Sequence, residues 1–147
     1  MRYLLDTNAW IVYFKGRQTS IRARLEETPR DQITTCSVVW AELLHGARKY
    51  ENPAERRDRV ERVLDPLENF DFDRAAAQHY AIARDTLEKE GRSIGLNDLL
   101  IASIALANDL TWSPTPRPAR GRLVCVMQMQ SVLARPSFRR ACSGLIR

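Results

Sequence analysis

Three acids in this 147-residue chain stand in apolar surroundings, where an isolated charge is costly. Asp6 ends the run Tyr3, Leu4, Leu5. Glu42 is embedded in Val38, Val39, Trp40, Ala41 before it and Leu43, Leu44 after it. Asp98 follows Gly95, Leu96, Asn97 and precedes Leu99, Leu100, Ile101 and Ala102. If the three converge, each raises the pKa of the others. A divalent cation resolves that conflict, and Mg²⁺ favours hard oxygen ligands while keeping several waters. Such a centre suits phosphoryl chemistry: the ion holds a phosphate oxygen, acidifies a bound water and stabilises charge on the leaving oxygen.

Each acid also has a plainer reading. Asp98, or Asn97 beside it, could only cap a helix. Glu42 could be a solvated residue at the edge of an apolar stripe. Asp6 could accept hydrogen bonds from the turn at Thr7 and Asn8. Thr7 and Asn8 themselves are expected to orient Asp6 rather than to bind metal. Other chemistries find less support. His45 and His79 are solitary on charged helices, no Ser-His-Asp or Cys-His arrangement declares itself, and no glycine-rich phosphate loop is present. Asp6-Thr7-Asn8 faintly resembles the aspartyl phosphatases of the haloacid dehalogenase type, which need a second acid where this chain has Asn8.

The elements that must position these acids follow from periodicity. Tyr3–Leu5 suits a strand buried on both faces of a parallel sheet, and an acid at its carboxyl end lies where open α/β sheets bind ligands. Residues 7–15 carry Trp10, Ile11 and Phe14 at helical spacing and stop at Gly16. A short helix fits Thr19–Thr28, closed by Pro29, and Ile33–Cys36 reads as a second strand. Ser37 is a candidate cap for a helix to about Tyr50, with Val39, Leu43, Ala47 and Tyr50 on one face. Asn52, Pro53 and Glu55 predict the next helix start, with Val60, Val63, Leu64 and Leu67 inward. A third strand is expected at Asn69–Phe72. Asp73 then caps a helix to Glu90 through Ala77, Tyr80, Ala81, Arg84 and Leu87. Asn97–Asn108 is apolar almost all round, hence a buried helix, and Leu110–Trp112 can begin a fourth strand. Strands alternating with helices predict an α/β fold with a central parallel sheet.

Composition is that of one ordinary globular domain. No apolar stretch reaches the roughly 18 residues a spanning helix needs, so no membrane is expected. Cys36, Cys125 and Cys142 have no metal-type spacing, and the start lacks the layout of a secretion signal; both favour the cytoplasm. The net charge is +5, but residues 1–111 hold 16 Lys or Arg against all 18 acids. The excess comes from residues 112–147, with seven Arg and no acid. A basic nucleic-acid-binding module would therefore rest on that tail alone.

Taken together, Leu4-Leu5-Asp6-Thr7-Asn8-Ala9-Trp10, the segment from Ser37 through Glu42 to Gly46, and the segment from Gly95 through Asp98 to Ala105 resemble one family. It is that of the VapC-type toxins of bacterial toxin–antitoxin pairs, which are PIN-domain ribonucleases. The motifs agree in order and spacing, and the resemblance runs through about residue 111. It implies a PIN-like sheet flanked by helices. It also implies metal-binding, catalytic roles for Asp6, Glu42 and Asp98, supported by Thr7, Asn8 and Asn97, with Mg²⁺ or Mn²⁺ as cofactor. The implied activity is endonucleolytic cleavage of RNA, tRNA among the targets; the implied partners are a VapB-type antitoxin and a second copy of the chain.

Past residue 111 the chain departs from the family. A strand of the type Leu-Val-Thr-His is expected there, then a polar stretch with a fourth Asn or Asp; the chain reads Trp112-Ser113-Pro114-Thr115. One coding of Leu-Val-Thr-His, CTG GTC ACC CAC, gives Trp-Ser-Pro-Thr when read one base later. The expectation is a nuclease domain over 1–111 and an atypical, basic, Arg- and Pro-rich tail over 112–147, translated out of frame and poorly ordered, its closing strands atypical or missing. Activity would then be impaired, and the competing reading is a catalytically inactive remnant that only binds the antitoxin.

Overall fold

The computed structural model describes residues 2–16 and 20–113. Its elements are β1 (Tyr3–Leu5), α1 (Thr7–Phe14), α2 (Ser20–Glu27), β2 (Ile33–Cys36), α3 (Ser37–Ala47), α4 (Pro53–Leu64), β3 (Glu68–Phe70), α5 (Arg74–Lys89), α6 (Leu96–Ala107) and β4 (Thr111–Ser113). They fall into two compact units. Among the described residues the first comprises 2–16, 20–71 and 110–113, the second Phe72–Asp109.

The first unit is built on a four-stranded sheet in the order β3-β2-β1-β4. Every pairing is parallel, with Tyr3 opposite both Ile33 and Thr111, and Thr34 opposite Glu68. The apolar and β-branched runs at 3–5 and 33–36 form the two central strands, as expected of segments with no polar face to offer water. Leu4, Thr34 and Cys36 have no exposed surface, nor do Val39 and Leu64 from the helices. β1 has β2 on one side and β4 on the other, so the strand order reverses at β1. That reversal opens a crevice at the carboxyl ends of the strands.

The second unit is the helix pair α5 and α6, which pack against each other. Asp73 caps α5 as expected, its Oδ1 accepting from Ala76 N at 2.8 Å. Gly91, with φ at +64°, occupies the left-handed region just past the helix end. Six residues of α6, from Leu99 and Ile101 through Ala105, are buried, in keeping with its apolar text.

Several sequence expectations shift. The buried residues of α5 are Ala76, Ala83 and Leu87, whereas Ala77, Ala81 and Arg84 are exposed; with five alanines and few large apolar side chains the stripe admits two phases. α3 is capped by Cys36 rather than Ser37 and ends at Ala47. Tyr50 therefore leaves the apolar face and is 53% exposed. Asn52 makes no side-chain cap bond to α4; its carbonyl accepts from Arg56 N at 3.2 Å. The third strand lies two residues nearer the N-terminus at its end than Asn69–Phe72, because Asp71 to Asp73 already turn toward the α5 cap. The expected closing strands of the tail lie outside the described residues.

Candidate active site

Parallel pairing of β1 and β2 sets their carboxyl ends side by side, and a helix starts from each. α1 begins one residue after β1, and α3 begins immediately after β2. Asp6 is the hinge of the first of these junctions. Its backbone is extended (φ −74°, ψ 165°), which makes it the N-cap of α1. Oδ1 accepts from Ala9 N at 2.7 Å, and Oδ2 receives Asn8 Nδ2 at 3.4 Å, long for a hydrogen bond. The residue is only 4% exposed.

Glu42 lies about a turn and a half into α3. Val39, Leu43 and Ala47 form the buried stripe of that helix, and Glu42 stands beside it, half-buried. The Thr7 hydroxyl donates to Glu42 Oε2. Sequence reasoning gave Thr7 and Asn8 the same task of orienting Asp6. The structure divides them: Asn8 faces Asp6, while Thr7, at the first position of α1, reaches across to the neighbouring helix. The Thr7 hydroxyl thus links Glu42 to the start of α1, one residue along the chain from Asp6.

Asp98 belongs to the second unit and is the third residue of α6. Gly95 is the cap (φ −59°, ψ 139°) and offers no side-chain bond. The carboxylate of Asp98 folds back over it: a Cβ built on Gly95 would meet Asp98 Oδ2 at 2.9 Å. Asp98 is half-buried and Asn97 exposed. Neither is the cap residue, although an acid in the first turn also complements the helix dipole.

Within the first unit the donor chemistry, carboxylate and hydroxyl oxygens near the ends of the strands, is of the kind a hard divalent ion takes. Among the described residues, no group of three or more His, Cys, Asp or Glu side chains stands together as a ready-made metal cage. The histidines contribute nothing to the cluster. His45 is exposed, and burial lowers the pKa of His79, which favours its neutral form. Cys36, at the end of β2, has its thiol pKa pushed up to about 11, chiefly by burial, with the negative charge of Glu42 adding to the effect.

One feature of the first unit had no contiguous signal in the sequence. A cleft of about 620 Å³ opens between α1, α3 and α4, with Glu42 in its wall. Its cations, Lys15, Lys49, Arg56 and Arg59, come from three separate segments, so no basic run betrays them.

Residues 3–113 match the PIN domain family. The chain is 35% identical over 112 residues to Ribonuclease VapC2 of Rickettsia felis, spanning 76% of this chain and 84% of that protein. It is 31% identical over 110 residues to the tRNA(fMet)-specific endonuclease VapC of Shigella flexneri, spanning 75% and 83%. Among solved structures it resembles DNA-bound VapBC from Salmonella typhimurium, with a TM-score of 0.71, 30% identity and coverage of 78% of this chain and 86% of that one. VapBC2 from Rickettsia felis bound to a promoter DNA fragment gives a TM-score of 0.70 at 28% identity, covering 79% and 100%. The chain belongs to the PIN domain family, alongside the VapC ribonucleases.

Proposed function

We propose that this chain is the toxin of a type II toxin–antitoxin pair, an endoribonuclease whose Asp6, Glu42 and Asp98 jointly hold Mg²⁺ or Mn²⁺. The observation that carries the reading is the cluster at the sheet end. The Thr7 hydroxyl ties Glu42 on α3 to the start of α1, where Asp6 is held by the Ala9 amide. Asp6 at the carboxyl end of β1 and Glu42 on the helix that follows β2, 36 positions apart in the chain, are thereby linked through the start of α1, which supports the reading.

A divalent ion bound there supplies an acidified water and charge compensation for phosphate oxygens. The residues of the chain supply the geometry. Asp6 is immobilised by its capping bond, and Asn8 faces its second oxygen. Thr7 fixes the orientation of the Glu42 carboxylate, the kind of supporting bond that sets affinity and aim in metal sites. Asp98, on a helix start whose dipole favours negative charge, completes the set, with Asn97 beside it.

The partners that go with this reading are an RNA substrate, tRNA included, a VapB-type antitoxin and a second copy of the chain, in the cytoplasm. The test is RNA cleavage with Mg²⁺ or Mn²⁺ added or chelated, comparing the chain with Asp6→Asn. Metal-dependent cleavage that disappears in the variant supports the enzyme. Equal background cleavage in both supports an inactive remnant that only binds antitoxin.

A further inference from the structure

We propose that the site at the strand ends is built for a single divalent ion, which Asp6 and Glu42 each bind through one carboxylate oxygen, and not for a bridged pair of ions. The inference rests on the reading of Asp6 and Glu42 as metal-binding acids.

Paired catalytic ions stand roughly 3.5–4 Å apart, and their repulsion at that range must be offset by negative ligands lying between them. A carboxylate bridges such a pair by giving one oxygen to each ion. Both acids of the first unit have already given an oxygen to the protein. Asp6 Oδ1 accepts from Ala9 N at 2.7 Å, and that bond caps α1. Glu42 Oε2 accepts from the Thr7 hydroxyl. To bridge two ions, Asp6 would have to uncap the helix that presents it, and Glu42 would have to release its hold on α1. Asp6 is also only 4% exposed, so the surrounding packing resists a swing of its carboxylate. A carboxylate with one oxygen fixed by a protein donor suits a terminal ligand, aimed by its supporting bond.

The supply of donors agrees. Mg²⁺ is usually held through one or two carboxylates, with waters and phosphate oxygens completing its shell, and Asp6 and Glu42 provide two. A second ion would need acids of its own from the neighbouring strand ends. β2 ends in Cys36, a soft sulfur donor ill-suited to a hard ion. Asp71 follows β3, two strand spacings or about 10 Å from β1. On the other side β4 ends at Ser113, paired with Leu5, and residues 114–147 contain no Asp, Glu or Asn.

The test counts Mn²⁺ on the full chain in the absence of RNA. Equilibrium dialysis with metal analysis should give one ion per chain whose binding weakens tenfold or more in Asp6→Asn. At saturation that ion should show the electron paramagnetic resonance signal of an isolated Mn²⁺, without the exchange coupling of two ions a few ångströms apart. Glu42→Gln serves in place of Asp6→Asn should that variant fail to fold by circular dichroism. Two ions per chain that couple to each other and are both weakened by the substitution overturn the single-ion inference, while the metal-site reading stands. No bound Mn²⁺, or binding undiminished in both variants, overturns the two together, because these acids then hold no ion.

Discussion

The carboxylates of Asp6 and Asp98 both stand at the start of a helix, yet the chain holds them in opposite ways. Asp6 is itself the cap of α1, nearly out of contact with water and fixed by the Ala9 amide. Asp98 sits three residues inside α6, half-buried, behind a glycine cap with no side chain to offer. The first acid is part of the structure that presents it; the second lies over the glycine that caps its helix. The difference teaches that one acid doubles as the cap of its helix, whereas the other lies inside its helix and leaves the cap to a glycine.

The largest expected effect separates those two burdens. Asp6→Asn and Asp98→Asn should each lower metal-dependent RNA cleavage by about a hundredfold or more, since on the proposed reading each removes a charged ligand. Stability should be nearly unchanged in both, because Asn caps as well as Asp. Asp6→Ala should lose a further 1 kcal/mol or so of stability by denaturant titration, the loss of a cap bond, beyond the loss in Asp98→Ala. Equal stability of the two alanine variants would erase the contrast.

Next in size is the dryness of the strand-end region. Cys36 has no exposed surface, and its thiol pKa of about 11 in the folded chain lies above that of the unfolded chain. Between about pH 9 and 11 the unfolded thiol releases its proton while the folded one keeps it, so stability must fall as pH rises through that window. The loss should approach about 2–3 kcal/mol at the upper end and be absent in Cys36→Ala. Parallel stability–pH curves for the two proteins would show that the site is wetter than the packing implies.

Smaller effects test the supports. Thr7→Val keeps shape but removes the hydroxyl that holds Glu42; activity should fall about tenfold at fixed metal, partly restored by raising Mg²⁺. A drop that no metal concentration relieves would mean that Thr7 does something other than orient Glu42. Gly95→Ala should have the least effect. The backbone at Gly95 suits any residue, but the new Cβ meets Asp98 Oδ2 at 2.9 Å, and that flexible carboxylate must move. A few-fold weaker apparent metal affinity with an unchanged melting temperature is expected; an unchanged affinity would show that the carboxylate has room to spare.

How much of this the sequence disclosed depended on how strongly a local pattern constrained its surroundings. The strands at 3–5 and 33–36, the Asp73 cap and the buried character of α6 were legible because each rests on short-range chemistry: apolar runs, a side-chain oxygen before a helix, residues without a polar face. The phase of α5 was not, because five alanines leave its apolar moment ambiguous. Nor was the length of α3, where Tyr50 continued the spacing of the stripe but fell in the turn that follows Ala47. The three acids stood out by their apolar neighbours. The Thr7–Glu42 bond and the cleft cations did not, since both depend on which helices the parallel sheet makes adjacent. The frame-slip reading of residues 112–147 remains a proposal that the gene decides: restoring frame by one base near Thr111 should yield a strand followed by a polar stretch with Asn or Asp, and failure to do so ends it.

The most direct test of the account is a Mn²⁺ titration followed by calorimetry and electron paramagnetic resonance. It would compare the full chain with Asp6→Asn, Glu42→Gln and Asp98→Asn. If the three carboxylates share a site, each single substitution weakens the same Mn²⁺-binding event by about tenfold or more, and the double Asp6→Asn/Asp98→Asn variant binds none. An Asp98→Asn protein that binds Mn²⁺ as tightly as the unmodified chain would contradict it.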